Sequence, residues 1–410
     1  MDTLTLELTG MAHGGAALGR HEGKVIFVPY ALPGETVRVQ IIDDQTRYAH
    51  ARLLEVLTPS TDRVPPPCPY FGPNGCGGCQ WQHISYEAQT RYKTEIVADQ
   101  LARIGQLTDP RVLPAIADPN GWRYRNQARF HPHPEEGLGF YTTGSDQVIP
   151  IEDCLILHPL LADLYDSLDL DVLGLEALTL RAGTAHDDLM LIFEMEDDEA
   201  PSLATDMTLS CVLLLSDGLH VNLVGNNHIL ETVADFTYRV SAPSFFQANT
   251  AQANHLIRLV TEYLDLKRGE TVLDGYCGVG LFTLPLAESA GLVIAMEENP
   301  TAVEDLLDNT DEFQNVDVVE GAVGAILADI EGPLDAAVVD PPRTGLEREA
   351  VRGLVAAGPS RIVYVSCDPA TLARDSKQLT KAGYRLVRTQ PVDMFPQTYH
   401  IETVTLFEKV

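Results

Sequence analysis

No run of apolar residues in this 410-residue chain approaches the roughly 20 that a membrane-spanning helix needs, which excludes a helical membrane span. Met1-Asp2-Thr3 has neither the cationic nor the apolar region of a secretory leader, so no membrane association and a cytoplasmic location are expected. Cations are scarce: 28 Lys and Arg face 59 Asp and Glu, a formal charge of −31. Such a body repels polyanions at long range, so a phosphate-rich partner has to be met by a locally basic site. The seven cysteines leave one over after any pairing, which fits a reducing compartment better than a disulfide framework. No internal repeat stands out. What is present is an ordinary globular composition, 45% apolar, at a length that suits about two to four domains.

Four of the cysteines are grouped. Cys68, Cys76 and Cys79 read C-x7-C-x2-C within CPYFGPNGCGGCQWQH, and Cys154 ends Ile-Pro-Ile-Glu-Asp-Cys. Thiolates set among glycine and proline can converge on one metal centre, and two residues between Cys76 and Cys79 suit zinc and iron–sulfur sites alike.

Short alternating strands punctuated by Gly14-Gly15 and Pro33-Gly34 predict a small OB-like β-barrel over residues 1–60. A helix is expected from Ser85 to Ile104, and a mostly β central domain over 61–84 and 114–242 that carries the cysteine group. From about residue 243 the rhythm becomes strand, loop, helix. Strands are expected at Thr271–Asp274, Leu292–Glu297, Ala336–Asp340 and Arg361–Ser366. That alternation predicts a Rossmann-like α/β domain over 85–113 and 243–410, a doubly wound sheet with its ligands at the strands' carboxyl ends.

The chemistry-bearing residues fall at those ends. Asp274-Gly275-Tyr276-Cys277-Gly278-Val279-Gly280 is a glycine turn of the kind shared by dinucleotide enzymes and methyltransferases. Glu297 closes the next strand, placed to accept hydrogen bonds from a ribose diol. Asp340-Pro341-Pro342-Arg343 stops an apolar strand and presents a carboxylate at its tip. Ser366-Cys367-Asp368-Pro369 repeats the device with a thiol, which reads as a nucleophile. His400 and Glu402 share a face of a final strand, so one of them is a candidate base.

Phe245-Phe246-Gln247-Ala248-Asn249, the Tyr276–Gly280 loop, Asp340-Pro341-Pro342-Arg343, Ser366-Cys367-Asp368-Pro369 and His400-Ile401-Glu402 occur in an order that resembles the S-adenosylmethionine-dependent RNA 5-methyluridine methyltransferases. The first sixty residues resemble their TRAM domain, and the cysteine loop resembles that of members holding a 4Fe–4S cluster. The resemblance implies methyl transfer from S-adenosylmethionine to C5 of a uridine, with 23S rRNA the expected substrate. A tRNA substrate, or a non-catalytic iron–sulfur RNA-binding protein, is the alternative. It implies Cys367 as the nucleophile adding to C6, Glu402 as the base, and Asp340 on the uracil edge. It further implies Gln247, Tyr276, Gly278, Glu297 and Asp340 at the cofactor, and Cys68, Cys76, Cys79 and Cys154 at the cluster. A monomer is expected. The C-x7-C gap is longer than the family pattern, and Leu281 stands where relatives can carry asparagine, so it is left outside the site.

Trp122-Arg123-Tyr124-Arg125-Asn126-Gln127-Ala128-Arg129-Phe130 interleaves cations with aromatics, a composition suited to phosphates and stacked bases. Arg123, Arg125, Arg129 and Phe130 are therefore the expected RNA contacts. Arg343, Arg374 and the Arg91/Lys93 pair are expected to extend a basic cleft.

Overall fold

The structure, a computed structural model, describes residues 3–133, 137–197, 199–330 and 334–410; Met1 and Asp2 lie outside them. Strands β1 (Thr3–Met11), β2 (Ala17–His21), β3 (Lys24–Val28), β4 (Thr36–Asp44) and β5 (Tyr48–Thr58) close into a barrel of order β1-β2-β3-β5-β4. Alternation drives the closure, since Leu6 and Leu8, Ile26 and Val28, and Val37 and Val39 all point into one core. Buried Glu35 accepts the Leu32 N–H at 2.9 Å and the Arg63 guanidinium at 2.5 and 2.8 Å, tying the barrel to the segment that follows.

Helix α1 (Tyr86–Arg103) buries Ala88, Tyr92, Ile96, Val97 and Leu101, the i, i+4 stripe of an amphipathic helix. Its core is shared with Trp81, Ile84, Leu372, Leu379 and Phe407, so the helix packs on the carboxyl-terminal unit.

The central region contains β6 (Gln127–His133), β7 (Gly137–Tyr141), β8 (Val148–Pro150), α2 (Pro159–Ser167), β9 (Asp169–Leu170), β10 (Leu175–Gly183), β11 (Asp188–Met195), β12 (Leu203–Ala204), β13 (Ser210–Leu214) and β14 (His220–Val224). Seven of these strands form a sheet of order β14-β13-β11-β10-β6-β7-β8, and β9 pairs with β12. A separate ribbon, β15 (His228–Val233) with β16 (Phe236–Ser241), leads into the last unit.

That unit runs α3 (Thr250–Leu264), β17 (Thr271–Gly275), α4 (Thr283–Ala287), β18 (Leu292–Glu297), α5 (Pro300–Asn309), β19 (Val316–Glu320), α6 (Val323–Asp329), β20 (Ala336–Val339), α7 (Arg348–Ala357), β21 (Arg361–Ser366), α8 (Pro369–Lys381), β22 (Tyr384–Val392) and β23 (Glu402–Lys409). Its sheet has the order β19-β18-β17-β20-β21-β23-β22. The inner strands are continuous apolar runs because both faces are covered, with Val272 and Val338 in one core and Leu273 and Val339 in the other. Strands β17 to β21 are parallel, whereas β23 runs antiparallel between β21 and β22. The amino end of β23 therefore reaches the edge where β17, β18, β20 and β21 finish.

Candidate active site

Strand register brings the catalytic candidates together. Gly275 pairs with Val339, Val339 with Tyr364, and Ser366 with Thr403, so Tyr276, Asp340, Cys367 and Glu402 stand at neighbouring strand tips. Cys367 occupies the turn into α8. There Asp368 caps the helix, its Oδ1 accepting the N–H groups of Ala370 (2.9 Å) and Thr371 (2.8 Å), and Pro369 fills the first helical position. His13 of the barrel reaches the same turn, its Nε2 lying 3.1 Å from Asp368 Oδ2. No sequence pattern pointed to that contact across 355 residues.

The electrostatics of the tips are strongly perturbed. Burial pushes the Cys367 thiol up to about 12, with the Glu402 and Asp340 charges adding to the effect and the Arg343 guanidinium opposing it. Burial raises Asp340 to about 7. Glu402 stands well above the usual carboxyl range, first from burial and then from Asp340, and its Oε1 is buried with no hydrogen-bond partner among the described residues. His400 falls to about 4 through burial and the Arg343 charge, so it is neutral near pH 7. A thiol, two carboxyls of raised affinity for protons and one guanidinium thus face one another, an arrangement suited to nucleophilic addition followed by proton abstraction.

Beside these tips lies a pocket lined by Phe245, Phe246, Gln247, Tyr276, Gly278, Val279, Leu281 and Asp340. Tyr276 (φ +64°) and Gly278 (φ +56°) are left-handed, which turns the loop back under the pocket. Gly280 is required by close approach, since a Cβ there would sit 2.8 Å from Leu306 Cδ1. Glu297 accepts the Gly278 N–H through Oε2 at 2.9 Å and the Glu298 and Asn299 N–H groups through Oε1, so it also orders the loop. Leu281, excluded by the sequence reading, lines the pocket. Phe245, 73% exposed, forms part of its mouth. Asp274 was also missed: burial raises it to about 7, and its Oδ2 accepts the Thr283 hydroxyl at 2.6 Å. Cys277 is buried, as a packing residue would be.

The cysteines line one cavity with Phe71, Gln82, Arg125 and Ile156. Burial raises Cys76 to about 11 and Cys79 to about 12, and it raises Cys154 as well. Like-charge interactions among the four thiols add to this, an index of their proximity. All seven cysteines are free thiols. Among the described residues no trio of His, Cys, Asp or Glu is gathered as the ligands of an ion. The long C-x7-C gap is absorbed by a turn in which the Gly75 N–H donates to Gly72 O at 2.9 Å, and a Cβ on Gly75 would lie 2.3 Å from Tyr70 O.

The arginine–aromatic segment departs from expectation. Phe130 is fully buried, stacked on Phe140 (4.5 Å) and Tyr165 (4.8 Å), so it fills the central core rather than meeting a base. Arg123 is held by Asp153 at 3.1 and 3.2 Å, and Arg129 by Glu194 at 2.8 Å. Arg125 turns into the cysteine cavity. Lys93 is likewise no part of a basic cleft: it is buried against Asp393 at 2.5 Å, while Arg91 bonds Asp62 and Arg374 bonds Asp375 at 2.8 Å. The segment still supports the pocket at Gln247, because Asn126 donates from Nδ2 to Gln247 O at 3.1 Å and from its backbone N–H to Ala248 O at 3.0 Å.

Comparison with known proteins agrees with this geometry. The tRNA (Uracil-5-)-methyltransferase family model matches residues 221–323 and 327–410, and the TRAM domain matches residues 2–54. The 23S rRNA (uracil(1939)-C(5))-methyltransferase RlmD of Shewanella sediminis is 35% identical, over 99% of this chain and 96% of that protein. An RNA methyltransferase of Streptomyces avermitilis is 37% identical, over 98% and 97%. The structure of Pyrococcus abyssi tRNA (uracil-54, C5)-methyltransferase in complex with S-adenosyl-L-homocysteine superposes with a TM-score of 0.75 at 25% identity, covering 98% of this chain and 99% of that one. With its barrel and its Rossmann-like sheet, the chain belongs to the S-adenosylmethionine-dependent RNA (uracil-C5)-methyltransferases.

Proposed function

We propose that the enzyme methylates a uridine of 23S rRNA through a covalent adduct on Cys367. The observation that carries this reading is the placement of Cys367, Asp340 and Glu402 on adjacent strand tips beside the Gln247–Tyr276–Asp340 pocket. Bound S-adenosylmethionine supplies a methyl group on a sulfonium cation. Cys367, a protonated thiol at rest, first gives up its proton to solvent. The thiolate then adds to C6 of uracil, and the C5–C6 electron pair moves into an enolate, which makes C5 nucleophilic enough to take the methyl group. The pair of the broken carbon–sulfur bond stays with the departing S-adenosylhomocysteine. Glu402 then accepts the C5 proton, the C5–C6 double bond reforms, and the C6–S bond breaks with its pair returning to Cys367. Asp340, raised to about 7, holds the uracil edge as donor or acceptor, and Arg343 counters the negative charge around the thiol. A uridine in folded RNA has to be extruded to reach these tips.

Glu297, in this reading, accepts the ribose hydroxyls on the lone pairs that its backbone donors leave free. Glu297→Gln is expected to raise the S-adenosylmethionine Kd about tenfold, with RNA affinity unchanged, in parallel calorimetric titrations. Ribosomal RNA as substrate is supported by the Shewanella relative, and tRNA by the Pyrococcus structure. A groove that starts at Thr344 beside the active-site loop is lined by Arg348, Lys377 and Lys381, with Glu347 and Glu349 on the same wall and Arg374 paired to Asp375, so it offers a few cations rather than a strongly basic path. Mapping 5-methyluridine in RNA from cells with and without the gene decides the substrate. Loss from 23S rRNA supports the reading, and loss confined to tRNA contradicts it.

Cys68, Cys76, Cys79 and Cys154 are proposed to hold a 4Fe–4S cluster. Four thiols on one cavity match its donor set, and the buried Arg125 Nε without a hydrogen-bond partner marks a place for negative charge. A cluster there would join the 68–79 loop to the Cys154 segment and stiffen the neighbouring run through Asn126, which supports Gln247. No step of methyl transfer passes through it.

A further inference from the structure

Arg125 is the cation that the sequence misplaces most. Its backbone is fixed beside the Cys154 segment: the Arg123 N–H donates to Leu155 O (3.1 Å), the Arg125 N–H to Ile156 O (2.9 Å), and the His158 N–H to Arg125 O (2.9 Å). This ladder aims the side chain into the cavity that the four thiols share. Its Nε is buried there and meets no acceptor. Asp153, the one carboxylate among the described residues of the cavity lining, is already held by Arg123 at 3.1 and 3.2 Å, so the Arg125 guanidinium, which burial does not neutralise, calls for a further anion inside the cavity. Four thiolates around an iron–sulfur core leave net negative charge, which answers that demand. The same guanidinium also adds to the field that keeps His400 neutral, after burial, Arg343 and Lys93, so its charge is felt at the catalytic rim.

We propose that Arg125 is the counter-charge of the site formed by Cys68, Cys76, Cys79 and Cys154, and that it sets the reduction potential and the retention of the cluster bound there. The proposal rests on the four-iron reading. A cation beside the cluster favours the more negative, reduced state, so removing it lowers the potential.

The test uses full-length protein reconstituted without oxygen, as wild type, Arg125→Gln and Arg125→Lys. Iron and acid-labile sulfide per chain, the midpoint potential and the salt dependence of RNA binding are measured on each. Wild type is expected to hold the cluster. Arg125→Gln is expected either to lose iron or to shift the one-electron equilibrium at least tenfold towards the oxidised form, about 59 mV. Arg125→Lys keeps the charge and is expected to stay close to wild type in both respects. The slope of log affinity against log salt is expected to be the same in all three, since no phosphate contact is lost. Wild-type iron content and potential in Arg125→Gln would overturn the proposal. So would an equal shift in Arg125→Lys, or a salt slope reduced by about one contact, which would make Arg125 a phosphate ligand. Wild-type protein holding zinc, or no metal, would instead sink the four-iron reading and the proposal with it, and that failure is read before any variant is compared.

Discussion

Cys367→Ala is expected to lower methyl transfer by at least about 10⁴-fold, because a nucleophile's removal leaves only binding and orientation to help the reaction. Uracil C5 reacts with a methyl sulfonium only after addition at C6, so no neighbouring group can take over. Affinity for S-adenosylmethionine is expected to hold within about twofold of wild type, since Cys367 is absent from the pocket lining and removing a side chain that makes no contact changes little. Single-turnover assays with radiolabelled methyl donor, run beside calorimetry, separate the two effects. Substantial activity in the variant would assign Cys367 a structural role.

Glu402→Gln is expected to act later in the cycle. The first methyl transfer proceeds, the C5 proton stays, and a methylated protein–RNA adduct accumulates, while turnover falls by about 10²–10⁴-fold. A denaturing gel of protein with RNA and methyl-labelled donor checks this, and loss of activity without any adduct would contradict it. The same variant is expected to be more stable than wild type. Burial holds Glu402 well above its unfolded value, so ionising it costs stability. The carboxyl contributes fully below the unfolded value of about 4.3 and loses stability as pH rises towards its folded value. The gain in Tm from glutamine should therefore be larger at pH 8 than at pH 5. A catalytic base kept in an environment that disfavours its charge trades stability for reactivity.

Asp340 and Cys367 were legible in the sequence for a local reason. Each follows an apolar strand and precedes proline within a residue or two, so chain order alone places them at the edge where an α/β sheet binds ligands. Glu402 was legible from its spacing only as one of two residues on a face, and it was the resemblance that singled it out from His400; the burial and charge around both depend on distant segments. Phe130 and Arg125 were misjudged because their composition is informative and their direction is not. In β6 the pairing with β10, nearly fifty residues on, turns Phe130 into the central core. The hydrogen bonds to Leu155 and Ile156, thirty residues away, turn Arg125 towards the thiols. Lys93 reads as a surface cation until Asp393, 300 residues later, is seen to bury it. His13 at the catalytic rim depends on how the barrel docks, a relation between distant segments that no local pattern encodes.

The covalent step is the centre of the account, and peptide mapping of the adduct with 5-fluorouridine-substituted RNA tests it most directly. Fluorine at C5 cannot leave as a proton, so the cycle should stop after methyl transfer. The expected product is a denaturation-resistant complex whose nucleotide, carrying the transferred methyl, is attached to the peptide containing Cys367. Active enzyme that forms no such complex, or forms it on another residue, would contradict the account.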